Sequence, residues 1–145
     1  MRAYGLLTTT IAVLSCADFG DDAKKDLEKF QGDWQLVSLE RDGKQIPPEE
    51  AKKLTLTIQG EKFVLRKEGA VVSEGTMKLD PARKPKEVDE TISTGPNKGK
   101  IFRAIYEIDD DQHKVCFAAA GKDRPSDFSS QPGDGRILQV WKRVK

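Results

Sequence analysis

The sequence predicts an all-β fold, an eight-stranded antiparallel up-and-down barrel with a short N-terminal helix. Three observations predict it. Apolar residues recur with period two in short runs, the spacing of a half-buried strand. Most runs are joined by brief turns rich in Gly, Asp and Pro, which makes sequence neighbours sheet neighbours. The chain has 145 residues, room for one core and not for two ordinary ones. A meander of eight strands closes on itself and so removes its exposed edges.

Asp21 to Phe30 reads as an amphipathic helix, with Asp21 and Asp22 at its positive end and Leu27 and Phe30 three apart on one face. It should plug one end of the barrel. Gly32-Asp33-Trp34 opens the first strand, Trp34 to Glu40, and Asp42-Gly43 suits the turn that closes it. Pro47 and Pro48 start a brief helical turn, Glu49 to Lys53. Leu54 to Ile58 alternates apolar residues with Thr and pairs, through Gln59-Gly60-Glu61, with Lys62 to Lys67. Ala70 to Leu79 follows, with Gly75 marking a bulge or bend. A loop from Asp80 to Pro85 leads to a polar strand, Glu87 to Thr94. Ile101 to Ile108 sets Phe102, Ala104 and Tyr106 on one face, and His113 to Ala119 returns from an acidic turn. A long loop, Gly121 to Gly135, precedes the last strand, Arg136 to Val144.

Residues 1–17 read as a signal peptide: Arg2, an apolar stretch from Leu6 to Leu14, then small residues. Two processing routes compete, cleavage after Ala17 or a lipobox, Val13-Leu14-Ser15-Cys16, that lipidates Cys16. The division is therefore leader 1–17, helix and linker 18–31, and barrel 32–145. The expected location is exported, in the periplasm or cell envelope or secreted, with the membrane reached only through a lipid on Cys16. Either route leaves Cys116 without an intrachain partner, so no disulfide is expected. The chain has 25 basic and 24 acidic residues, and the first sixteen contain only Arg2 among these. The remainder thus balances 24 against 24. A neutral chain argues against nucleic acid as partner, since that binding draws on concentrated positive charge.

Chemistry finds little support in the residue patterns. His113 is the only histidine and has no Cys or His nearby, so it reads as a surface residue and no zinc ligand set forms. Asp109-Asp110-Asp111 places Lys114 and Ala120 where a calcium loop needs Gly and Glu, so it reads as a polar turn. Asp89 and Glu90 lie on a polar strand with no sign of burial, which disfavours paired-carboxylate catalysis. The expectation is no enzyme, no metal and no cofactor.

The opening Gly32-Asp33-Trp34 resembles that of lipocalins, where the tryptophan closes the barrel floor under a basic residue of the last strand. That resemblance implies Gly32, Trp34 and Arg143 as a structural signature. From Lys25 to Lys145, the stretches Gln31-Gly32-Asp33-Trp34, Glu40-Arg41-Asp42-Gly43-Lys44, Lys84-Pro85-Lys86-Glu87-Val88-Asp89, Ile105-Tyr106-Glu107, Val115-Cys116-Phe117, Arg124-Pro125 and Phe128-Ser129-Ser130 together resemble an uncharacterised exported domain family abundant in planctomycete bacteria. The resemblance implies a lipocalin-like barrel in the cell envelope and brings no activity with it.

Two functions remain in play. One is a binding module for a small or amphipathic ligand, with Phe102, Tyr106, Phe117 and Phe128 as contacts and Arg124 as polar handle at the barrel mouth. The competing reading of that loop ties Arg124 to a nearby carboxylate and folds Phe128 back on the core, and it is the favoured one. The other function is an envelope interaction domain with a filled barrel, binding protein or polysaccharide. An internal cavity of several hundred cubic ångströms would favour the first, on the usual size of ligand pockets.

Overall fold

The computed structural model describes residues 18–145, so the leader and Cys16 lie outside the described residues. Helix α1 spans Asp18–Phe30 and begins three residues earlier than its paired aspartates suggest. The strands are β1 (Gly32–Arg41), β2 (Lys44–Gln45), β3 (Leu54–Gln59), β4 (Lys62–Lys67), β5 (Ala70–Asp80), β6 (Lys86–Ile92), β7 (Ile101–Ile108), β8 (Gln112–Phe117) and β9 (Ile137–Arg143). A one-turn helix, α2 (Pro48–Ala51), separates β2 from β3.

All pairings are antiparallel and follow chain order, and β1 also pairs with β9 from Trp34↔Arg143 to Arg41↔Ile137. The sheet is therefore a closed barrel of eight strands. The two-residue β2 is a ninth, zipped to the end of β1 through Asp42 and Gly43, both at positive φ (53° and 74°). That geometry is why an Asp-Gly pair stands at this turn.

Two register shifts tune the barrel. One lies in β1 between Leu36 and Ser38, leaving Val37 half-exposed and keeping Leu36 and Leu39 both on the apolar side. The other offsets Leu65/Arg66 against Ser73/Val71, so the irregularity in β5 sits at Val72 and not at Gly75. Gly75 serves a different need. A Cβ there would lie 2.1 Å from the Thr91 carbonyl oxygen and 2.9 Å from the Phe63 ring, so only glycine lets β5 approach β6 over that ring.

The core is the barrel interior. Trp34, Tyr106 and Trp141 are essentially fully buried, with Phe30, Ile58, Phe63, Met77, Val88 and Val115 around them. Phe30 and Leu27 of α1 pack into the same cluster. Trp34 Nε1 donates to the Phe30 carbonyl at 2.8 Å. The Arg143 guanidinium lies 4.3 Å from the Trp34 ring and donates to the carbonyls of Gln31 (2.7 Å), Asp110 (2.8 Å) and Lys29. Helices end with carbonyls that lack intrahelical partners. Here the tryptophan and the arginine supply those partners, which locks the plug to the seam where β1 meets β9. Gly32, at φ 108°, makes the bend, a backbone conformation that favours glycine.

Candidate functional site

Strand alternation decides what faces inward. Val88, Glu90 and Ile92 of β6, Tyr106 of β7, His113, Val115 and Phe117 of β8, and Gln139 and Trp141 of β9 point into the barrel. These residues do not quite fill it. A cavity of about 90 Å³ remains, lined at the helix end by Phe30, Phe63, Met77, Tyr106, His113 and Trp141. Farther from the helix its walls are Leu56, Leu65, Ser73, Glu90, Phe117 and Gln139. Most of this second group is only partly buried, whereas the helix-end group is buried throughout, so the interior loosens away from the plug.

Glu90 corrects the reading that the carboxylates of β6 show no sign of burial: it is partly buried and lines the cavity. It stands opposite Met77 and Phe102, with Val88 and Ile92 on either side of it on the same face. Burial pushes its carboxyl up to about 8, and among the described residues no ion pair or hydrogen bond opposes the shift. Asp89, one residue before it, faces outward and meets Arg124.

His113 is also corrected, from surface residue to core residue at 3% exposure. Its ring meets Trp34 edge-on at 4.4 Å and Phe30 edge-on at 5.0 Å, and stacks on Trp141 at 6.2 Å. Burial, assisted by the charge on Arg143, pushes its pKa down to about 3, so the imidazole is neutral at pH 7. Its Nδ1 has no hydrogen-bond partner among the described residues. Buried polar atoms are rarely left this way.

Tyr106 shows the opposite treatment. Its hydroxyl donates to the buried Asp26 carboxylate of α1 at 2.7 Å, and Lys86 Nζ binds the same oxygen at 2.8 Å. Burial first, then the Asp26 bond, raises the phenol above its ordinary range. Tyr106 thus lines the cavity with its ring while its polar end is spoken for.

The candidate contacts divide. Tyr106 and Phe117 line the cavity, and Phe102 packs against the core without lining it. Arg124 and Phe128 lie elsewhere. Arg124 donates to the carbonyls of Val88 (3.1 Å) and Ala104 (2.9 Å) and pairs with Asp89 (2.7 Å) and Glu87 (3.4 Å) on the outer face of β6 and β7. Phe128 lies under the Lys114 ammonium at 4.6 Å. The long loop therefore straps the outer wall, and Arg124 ties it to carboxylates as the favoured reading held; Phe128 stays outside the barrel. Under the strap, the outward-facing Ile105 and Cys116 are buried, with the Cys116 thiol donating to the Ser129 carbonyl at 3.5 Å. Burial raises that thiol's pKa.

The signal for the missed pair was present. Glu90 is in phase with Val88 and Ile92, and His113 with Val115 and Phe117. Among the described residues no three His, Cys, Asp or Glu side chains converge on a point a metal could occupy. No family model matches the chain, and no curated protein or solved structure is significantly similar to it.

Proposed function

We propose that this protein is an exported binding module that holds a small molecule inside its barrel. One observation carries the reading: the interior retains a mostly apolar cavity of about 90 Å³, lined by Glu90, which has no ion-pair or hydrogen-bond partner among the described residues, and by His113, whose Nδ1 has none. A barrel built only to be stable gains from filling such a space with methyl groups, since a cavity forgoes dispersion contacts and an unpaired buried polar group adds its desolvation cost. Ligand sites have the reverse pattern, apolar walls with few convergent polar groups. The volume falls short of the several hundred cubic ångströms expected of a ligand-holding barrel, and it restricts the occupant. It holds about three waters at their liquid share of ~30 Å³ each, well below the ~300–1,000 Å³ of drug-sized pockets. Export rests on the leader read in residues 1–17 and on the resemblance to the planctomycete exported family.

Native mass spectrometry of the protein purified without denaturation from its own source tests the reading, beside a Ser73→Leu variant that fills the cavity. The expected result is a small non-covalent adduct, or protection by added small organic molecules, in the native chain and neither in the variant. Identical behaviour of the two would refute it. A second reading has one observation in its favour, the tightly filled helix end of the barrel: an envelope interaction domain that uses its outer wall to meet protein or polysaccharide.

A further inference from the structure

Resting on that reading, we propose that the occupant is a compact organic cation, a protonated amine on a short hydrocarbon body, whose ammonium is received by the Glu90 carboxylate. The polar inventory of the cavity points one way. Among the described residues its lining contains no Lys or Arg, and Glu90 is its one carboxylate; Ser73, Gln139 and neutral His113 each offer an acceptor beside a donor. A primary ammonium brings three N–H donors and the positive charge that the site lacks. The aromatic faces of Phe63, Phe117 and Trp141 suit the same charge.

The contrast with two other carboxylates of the described residues, buried Asp26 and outward-facing Asp89, sharpens this. Asp26 has the Tyr106 hydroxyl and the Lys86 ammonium, and Asp89 has Arg124. Glu90 alone of the three lines the cavity with no partner among the described residues to neutralise it. The titratable groups that face it are few. From β7 comes Tyr106, whose hydroxyl is engaged by Asp26 of α1, and from β8 comes His113; the walls supplied by β4 (Phe63, Leu65), β5 (Ser73, Met77) and β9 (Gln139, Trp141) carry none. A bound cation replaces a carboxyl proton with an ammonium, so binding releases one proton wherever free Glu90 is protonated.

Isobutylammonium and its neutral isostere isobutanol are the probes, titrated into the full chain and followed by amide shifts of β6 and β8. The expected affinity for isobutylammonium rises about tenfold per pH unit up to pH ~8 and then levels, because an alkylamine stays protonated to about pH 10. Isobutanol should bind at least tenfold more weakly and without that trend. In Glu90→Gln, isobutylammonium should lose at least tenfold in affinity together with its pH dependence, while isobutanol is unchanged. Direct carbon NMR of the Glu90 carboxyl adds a reading independent of any variant: saturation with isobutylammonium should lower its pKa by at least one unit. Equal binding of the two probes, indifferent to Glu90→Gln, would overturn the cation while leaving the cavity as a ligand site. Absence of binding by either probe would remove both. Preference for isobutyrate at low pH would also overturn the cation, since it assigns protonated Glu90 as a donor.

Discussion

The two unpartnered interior groups shift in opposite directions, and that sets a pH profile for stability that can be worked out group by group. Glu90 goes from an ordinary 4.5 to about 8 on folding, and His113 from 6.5 to about 3. For Glu90 the folded chain keeps a proton that the unfolded chain has lost, between pH 4.5 and 8. Stability therefore falls through that window, by about 1.4 kcal/mol per pH unit, and is level above it. For His113 the unfolded chain binds the extra proton between pH 3 and 6.5, so stability falls as the pH drops below 6.5. Between 4.5 and 6.5 the two slopes cancel. The chain should be most stable there, with Glu90 setting the alkaline flank and His113 contributing to the acid one.

The alkaline flank is the cleaner test, because few other groups titrate between pH 6.5 and 8. A full shift of Glu90 from 4.5 to 8 amounts to at most about 5 kcal/mol. About 2 kcal/mol of this lies between pH 6.5 and 8, where His113 no longer titrates, and water entering the cavity reduces it, so a loss of about 1–2 kcal/mol between pH 6.5 and 8.5 is expected. Glu90→Gln removes the titration while keeping shape, so its advantage over the native chain should grow by that amount between pH 6.5 and 8.5. Urea unfolding at the two pH values measures both. Parallel losses in the native chain and in Glu90→Gln would refute the placement of an unpaired carboxyl in the interior.

Other perturbations read other parts of the structure. Gly75→Ala puts a methyl 2.1 Å from the Thr91 carbonyl oxygen and should cost about 3 kcal/mol or more, seen as a drop in melting temperature; a melt within a degree of native would contradict the close approach of β5 to β6. Arg143→Met keeps the stem but removes three hydrogen bonds to carbonyls and the contact with Trp34, a loss of about 3–5 kcal/mol in urea unfolding. Arg143→Lys should recover less than half of it, since a point charge cannot fork between Lys29 and Gln31. Arg124→Ala should loosen the strap over β6 and β7 and speed modification of the buried Cys116 thiol by a disulfide reagent at least tenfold, with little change in melting temperature. An unchanged thiol rate would place the strap's anchor elsewhere.

The barrel was legible because its signals are local. Asp42-Gly43 states a hairpin turn, Leu54 to Ile58 states a strand, and the meander needs only nearest neighbours to pair. The meeting of Trp34 and Arg143 was implied by the resemblance of Gly32-Asp33-Trp34 to the lipocalin opening, and a guanidinium over an indole is a favourable pairing. The strap was harder. Whether Arg124 meets a ligand or a carboxylate depends on where fifteen aperiodic residues lie, which no period encodes. Glu90 and His113 were misplaced for another reason: polarity was taken as evidence of exposure, although their phase with Val88 and Ile92, and with Val115 and Phe117, already assigned them to the inner face.

That conflict between residue type and phase is itself informative. A sequence specifies its fold when pattern, packing and polar satisfaction agree, and departures concentrate where function needs them. Here the agreement holds along the helix plug, where even the ordinarily orphaned carbonyls of α1 have donors. It fails at two inward positions that border one cavity. Methionine at position 90 would suit the barrel's stability better at any pH above the carboxyl's, because it spares the desolvation of a charge. A carboxyl at that position weakens the fold it sits in, and a cation delivered to the cavity would offset that cost.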